Sequence, residues 1–320
     1  MPITQMSRAN FPPLLAPGLR HIFVQFFDLK QRAAQYTHYL NVMDSEDAYE
    51  IDYELSGTGP MPEMPEGTRP LSDGILQGGT KKYIHLQYGL LSQVTRQLVA
   101  DDKYGIIREM PKAHARGALF SREAVSASLF NLGGSTVLTN TGISLFNVSQ
   151  PLIGGTEATG FAPGISNIIT SAGTYPNRPT PDSDFSFTAV QQAINIFTRM
   201  PDGRGIPVHV QPRHVVHPPE LRWIVREVLG SPGKPGTNDN ELNSLLADKL
   251  EGLELNYLTS QSAWFMIAEK EGHQLKYYER EALAAQTDDD FQTQVLLFLS
   301  TQRFSVGATT FYGTYGSFGP

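Results

Sequence analysis

The sequence predicts an α+β fold, and three stretches carry that expectation. Residues 264–317 contain Trp264-Phe265-Met266-Ile267-Ala268, Leu275-Lys276-Tyr277-Tyr278-Glu279-Arg280, a break at Asp288-Asp289-Asp290, Phe291 to Phe304, and Phe311-Tyr312-Gly313-Thr314-Tyr315-Gly316-Ser317. Apolar and aromatic runs bounded by turn residues read as successive strands, so the chain ends in its most aromatic strands and ties its C-terminus into its main sheet. Asp47 to Leu55 alternates with period two, the period of a half-exposed strand. Asp101 to Asn131 repeats Ile107, Met110, Ala118, Val125 and Leu129 on one side and reads as a long helix of about 45 Å at about 1.5 Å per residue.

Length and composition bound the rest. A chain of 320 residues makes one large domain or two closely joined ones. The 25 Lys and Arg against 32 Asp and Glu leave a formal charge of −7, which argues against tight nucleic-acid binding because that needs clustered cations. The balance still permits enclosing nucleic acid without gripping it. There is no cysteine, which excludes disulfides, thiolate nucleophiles and Cys-ligated zinc. No apolar run approaches the roughly 20 residues of a membrane helix, and Met1 to Asn10 lacks the apolar block of a signal peptide.

In chain order, Met1 to Gly18 carries Pro2, Pro12, Pro13 and Pro17. Proline fixes φ and removes a donor, so this segment is read as an extended arm, with Phe11, Leu14 and Leu15 free to lie on another surface. Leu19 to Leu40 reads as helix, broken near Asp28, a good N-cap. In Asp47 to Leu55, Tyr49, Ile51, Tyr53 and Leu55 point one way and Glu50, Asp52 and Glu54 the other. Lys81 to Tyr88 is a second strand, and Ser56 to Thr80, rich in Gly and Pro, is the tip between them. A two-stranded ribbon is marginal alone in water, so it must lie on its own body or on a neighbour. An enzyme's lid is the other reading of these residues.

The helix from Asp101 contains Pro111, expected to bend or divide it, and stops at Gly133-Gly134. Ser135 to Pro181 is loop-rich. Phe187 to Arg199 is helix, Pro201 to Gly205 a turn, Ile206 to Val210 strand, Glu220 to Leu229 helix begun by Pro218-Pro219, and Glu241 to Leu250 a short helix. Helices and strands alternating through this region imply a sheet with helices on its faces.

No constellation for catalysis stands out. His209, His214 and His217 are close in sequence, but strand alternation splits them between two faces and no HExxH occurs. Asp288 to Asp290 and Asn238 to Glu241 lack the calcium-loop spacing. In Gly230 to Gly236, Pro235 follows Lys234 where a Walker loop needs Ser or Thr. Neither a GxSxG elbow nor a GxGxxG turn is present. Trp223 and Trp264 read as core or interface residues.

Taken in order, these segments resemble the major capsid protein of tailed bacteriophages. The resemblance lies in Ile206-Pro207-Val208-His209-Val210-Gln211-Pro212 followed by Pro218-Pro219-Glu220-Leu221, in Leu145 to Leu152, in Gln261 to Met266, in Arg303 to Gly307 and in Tyr312 to Ser317. It implies the HK-type capsid fold: residues 1–44 as N-terminal arm and helix, 45–92 as extended hairpin loop, 93–132 with 272–320 as peripheral domain around a long spine helix, and 133–271 as axial domain. It also implies a virion shell protein that self-assembles into pentamers and hexamers around double-stranded DNA, with portal, scaffold and decoration proteins as partners. No catalytic residue, cofactor, metal or membrane is expected. A scaffold is expected as a separate protein. The candidate contacts between subunits are Phe11, Leu14, Tyr49, Ile51, Tyr53, Met61, Met64, Arg69, Lys81 and Lys82. An encapsulin-like compartment holding protein cargo is the rival within this architecture, and a cytoplasmic hydrolase with a hairpin lid is the rival outside it.

Overall fold

The computed structural model describes residues 12–31, 34–59, 61, 63–70, 72–101, 105–153, 173–234, 242–290, 293 and 295–319. The chain begins with helix α1 (Pro12–Gln31). This corrects the expected extended arm and the break at Asp28. Pro12 and Pro13 occupy the first turn, where no intrahelical N–H is needed, and the helix runs through Asp28 unbroken. Residues 1–11, including Phe11, lie outside the described residues. A short α2 (Tyr36–Tyr39) leads into β1 (Asn41–Asp44).

The hairpin strands are β2 (Tyr49–Ser56) and β3 (Leu76–Ile84). The second starts and stops earlier than the alternation indicated. After His85 the chain continues as β4 (Leu86–Thr95), which belongs to another sheet. The short α3 (Arg96–Asp101) follows. The long helix α4 (Ile106–Asn131) starts five residues later than expected, because Asp101 closes α3 and Gly105 takes φ 72° just before Ile106. That left-handed conformation suits glycine and interrupts the helix. Its 26 residues span about 39 Å. Pro111 lies in its second turn without ending it.

Beyond it come β5 (Gln150–Pro151) and β6 (Thr174–Tyr175), which pair with each other, then α5 (Phe187–Thr198), capped by Ser186 Oγ accepting from Ala189 N. The expected strand at Ile206 to Val210 is not formed. Pro207 there makes only an isolated bridge to Pro201, and the strand is β7 (Pro212–His217). Next are α6 (Arg222–Gly230), a 3-10 turn at Ser244–Asp248 in place of the expected helix, β8 (Glu251–Glu254) and β9 (Trp264–Ala268). Strands β10 (Leu275–Asp290), β11 (Val295–Ala308) and β12 (Thr314–Ser317) close the chain. The three aspartates expected to break the chain are the last paired residues of β10, each opposite an apolar residue of β11.

Two four-stranded sheets result, ordered β1-β10-β11-β4 and β12-β9-β7-β8. The long strands β10 and β11 thus share a sheet with the continuation of the hairpin, and the chain's last strand joins β9 instead. Leu19, Phe23 and Phe27 of α1 pack with Ile107 and Ala115 of α4 against Val94, Leu296 and Phe298 of the first sheet. Tyr36, Phe130, Phe146, Phe265, Tyr277 and Phe304 form the core between the two sheets. Val190, Phe197 and Val225 bury α5 and α6 against Val215, Trp264 and Met266 of the second. The fully buried Arg122 of α4 joins the layers. Its guanidinium donates to Gln302 Oε1 at 2.8 Å, Glu279 Oε1 at 2.7 Å and Tyr36 OH at 3.3 Å.

Candidate assembly surface

The hairpin wears its polarity inside out. Tyr49, Ile51, Tyr53 and Leu55 face water at 45–57% exposure, while Glu50, Asp52 and Glu54 turn towards the body. An antiparallel sheet with one solvated face normally places its apolar residues inward. Register extends the reversal to β3: Tyr49 is opposite the exposed Ile84, and Glu50 is opposite the buried Tyr83. The Lys82 ammonium lies 3.8 Å from the centre of the Tyr49 ring on the outer face. Lys81 turns inward to donate to Leu138 O at 2.7 Å, and burial lowers its pKa.

Polar groups of the body meet the inward acids Asp52 and Glu54. Asp52 Oδ2 accepts from Lys276 Nζ at 2.6 Å, Thr309 Oγ1 at 2.9 Å and Tyr278 OH at 3.1 Å. Tyr83 OH reaches the same Thr309 hydroxyl at 2.7 Å. Asn140 donates to Glu54 Oε2 at 2.7 Å. A Cβ at Gly79 would stand 2.2 Å from Asn140 O, so the hairpin sits this close only with glycine there. At the tip, Arg204 NH1 bonds both oxygens of Asp73, at 2.8 and 3.0 Å, and NH2 donates to Gly74 O. Backbone donation from Gly59, then the Arg204 guanidinium, holds the Asp73 carboxyl below its ordinary range. The hairpin is therefore laid along its own subunit at base and tip, and its apolar side is left outward.

His85 is the single residue between β3 and β4, where the chain passes from the hairpin into the first sheet. Ser45 Oγ donates to Glu50 Oε1 at 2.6 Å, so it accepts from His85 Nε2 at 3.1 Å; His85 Nδ1 then accepts from Ser305 Oγ at 3.0 Å. Burial, then Arg303 and Arg280, hold this imidazole below the ordinary histidine range, against Glu50, which raises it.

Met61 is 93% exposed, Met64 57%, and Arg69 is exposed as well, all in the tip. Leu14 falls within α1. Sequence reasoning missed Asp52, His85, Lys276 and Arg204, whose partners are distant in the chain. The one usable signal was the acidic side of β2, which required cations facing it. The three histidines are dispersed: His209 Nε2 meets Gln211, His214 lies 3.9 Å from Glu251, and His217 is buried against Pro218 O. Among the described residues no group of three or more His, Asp or Glu is placed to hold a metal ion, and no helix is long and apolar enough to cross a membrane.

The family model described as phage capsid protein matches residues 80–316, most of the chain. The chain belongs to this phage capsid protein family. It is a shell-forming major capsid protein of the virion head, a structural protein with the HK-type α+β fold that the sequence led us to expect. The capsid protein of an empty GTA particle matches it with a TM-score of 0.54 at 12% identity over 90% of each chain. The native GTA capsid gives 0.55 at 12%, again over 90% of each. A chain of Microbacterium phage Oxtober96 gives 0.54 at 9%, over 90% of this capsid protein and 91% of the other. At such identities the likeness is one of fold. No curated protein sequence matches it.

Proposed function

We propose that this capsid protein assembles into pentamers and hexamers through the outward side of its hairpin, and that the shell so formed encloses double-stranded DNA without sequence-specific contacts. One observation carries the reading: Glu50, Asp52 and Glu54 of β2 face their own subunit, and Tyr49, Ile51, Tyr53, Leu55 and Ile84 turn to water. Burying apolar area is worth about 25 cal/mol per Å², so a monomer gains nothing from that arrangement and a lattice does. A specific contact buries about 1,200–2,000 Å², and a closed shell repeats it around every subunit. Met61, Met64 and Arg69 extend the surface at the tip.

In this reading residues 45–92 are the strap. The first sheet with α4, from 93–132 and 272–320, forms the peripheral part, and 133–271 forms the axial part. The formal charge of −7 favours DNA that slides along the inner wall over DNA that adheres to it. The role is structural, without a catalytic step, and portal, scaffold and decoration proteins are the partners it calls for. Deleting Pro60 to Gly79 tests the reading. Electron microscopy is expected to show soluble subunits and no stable shells, whereas normal DNA-filled particles from the deletion would overturn the hairpin's role. Shells from the native source that hold protein cargo and no nucleic acid would point to a cellular compartment.

A further inference from the structure

A groove of about 340 Å³ opens between α6 and β8. Its apolar floor is made by Val225, Leu229 and Leu250. His217, only 4% exposed, forms part of the wall. Its Nδ1 lies 2.9 Å from Pro218 O. A carbonyl can only accept, so Nδ1 carries the proton and Nε2 offers a lone pair. Burial holds this ring below the ordinary histidine range, which keeps the lone pair free at neutral pH. A Cβ at position 252 would stand 3.3 Å from that Nε2 and 3.0 Å from Val225 Cγ1. The ring edge therefore opens onto the groove because residue 252 is glycine.

The charged rim holds two cations and one acid. Arg222 donates from Nε at 2.5 Å and from NH2 to the two carboxylate oxygens of Glu254, a closed and neutral pair. Arg226, exposed beside it, makes no ion pair among the described residues; its guanidinium lies 5.5 Å from the Trp223 ring centre. Trp223 at 71% exposure and Ile224 at 44% continue the apolar surface out of the groove.

An apolar floor, an acceptor and a cation in one small groove call for a ligand with an aliphatic group, an N–H and an anion close together. The last residue of a polypeptide has all three. We propose that the groove binds the C-terminus of a partner protein ending in an aliphatic residue. Its carboxylate pairs with Arg226, its last amide N–H donates to His217 Nε2, its side chain rests on Val225, Leu229 and Leu250, and the preceding residues cross Trp223 and Ile224. A nucleic-acid phosphate fits less well, because its oxygens bring no donor to Nε2 and leave the floor uncovered.

N-acetyl-leucine is the minimal probe, titrated into the full-length chain and followed by ligand-observed NMR, with N-acetyl-leucinamide as its uncharged control. Saturable binding of the acid is expected, with the amide at least about ten-fold weaker, the effect of losing one charge-assisted pair. Arg226→Ala, at an exposed position, should bring the acid down to the amide's affinity, and Gly252→Ala should weaken both probes by crowding Nε2. Absence of saturable binding, equal binding of acid and amide, or acid binding indifferent to both variants each overturns the proposal. Arg226→Ala should still form shells, so the result stands apart from the role assigned to the hairpin.

Discussion

Asp52 of the hairpin and Lys276 of the first sheet meet at 2.6 Å across the seam between ribbon and body. Their side chains are 20% and 13% exposed, so the pair is largely withdrawn from water and is not a loose surface contact. Tyr278 and Thr309 bond the same carboxylate oxygen. Asp52→Ala leaves a lysine and two hydroxyls at the seam without their acceptor. It is expected to lower subunit stability by about 2 kcal/mol, within the range for hydrogen bonds to charged groups. Hydrogen exchange should show the amides of β2 losing protection while those of β10 keep theirs. Unchanged exchange in β2 would mean that the latch does not hold the ribbon.

Acid should loosen the unassembled subunit through its histidines. His85, His114, His217 and His273 are buried, and burial lowers the pKa of each, that of His273 to about 4. A depressed pKa means that the unfolded chain binds protons the folded one refuses. Stability therefore falls as pH drops below the ordinary histidine value of about 6.5, and the part due to His273 ends near pH 4. Denaturant midpoints measured at pH 7, 5.5 and 4 should decline in that order. His114 sits between Ser92 and Ser300, at 2.7 and 2.9 Å, with the Phe298 ring edge-on. His273→Gln should shrink the decline. A flat profile in the wild-type chain would contradict the neutral state of these rings.

The aromatic closing strands and the long helix were legible because period and composition agree there: β9 is buried at every position, and α4 keeps its apolar side along its length. The clean alternation of β2 was legible too, but its orientation was not. Period two says that Tyr49 and Glu50 face opposite ways, and only Lys276, Tyr278 and Thr309, more than 200 positions away, decide that the acids face in. The arm was misread because Pro12 and Pro13 break a helix in its interior and are welcome in its first turn. The strand expected at Ile206 to Val210 lay one proline too early, and Pro212 starts the real one. The assembly surface was legible as a list of residues on a ribbon, whereas the latches that set its outward side depend on contacts made after folding.

Arg122 carries a stability prediction of its own. Its side chain is fully buried and its charge is met by Glu279, Gln302 and Tyr36 from three separate elements. Removing one partner from a buried pair leaves the other without compensation, at a cost of about 3–5 kcal/mol. Glu279→Ala is the harsher change, because it strands the guanidinium at 0% exposure whereas Glu279 itself remains 18% exposed. Thermal denaturation of Arg122→Ala, Glu279→Ala and the double variant should show the double losing less than the sum of the singles. Strict additivity would mean that the two residues stabilise the fold independently.

The two faces of the ribbon should separate folding from assembly. Ile51, 52% exposed, and Tyr53, 57% exposed, lie on the outer side. Replacing each by Asp disturbs no buried side chain, so stability should change by no more than about 1 kcal/mol, the span of strand propensities. In a lattice the same charge would be buried against a neighbour without a partner, at a cost of several kcal/mol, multiplied over every subunit of a shell. Tyr83 lies on the inner side, buried at 3% exposure with its hydroxyl on Thr309. Tyr83→Phe should cost about 1 kcal/mol of subunit stability, the net worth of one hydrogen bond, and leave the outer face as it was. Sedimentation velocity and electron microscopy should therefore show Ile51→Asp and Tyr53→Asp as folded subunits that do not close into shells, and Tyr83→Phe as a weaker subunit that does. Shells of normal yield from the Ile51→Asp/Tyr53→Asp double variant would place the contact between subunits elsewhere and leave the reversed polarity of the hairpin without a purpose.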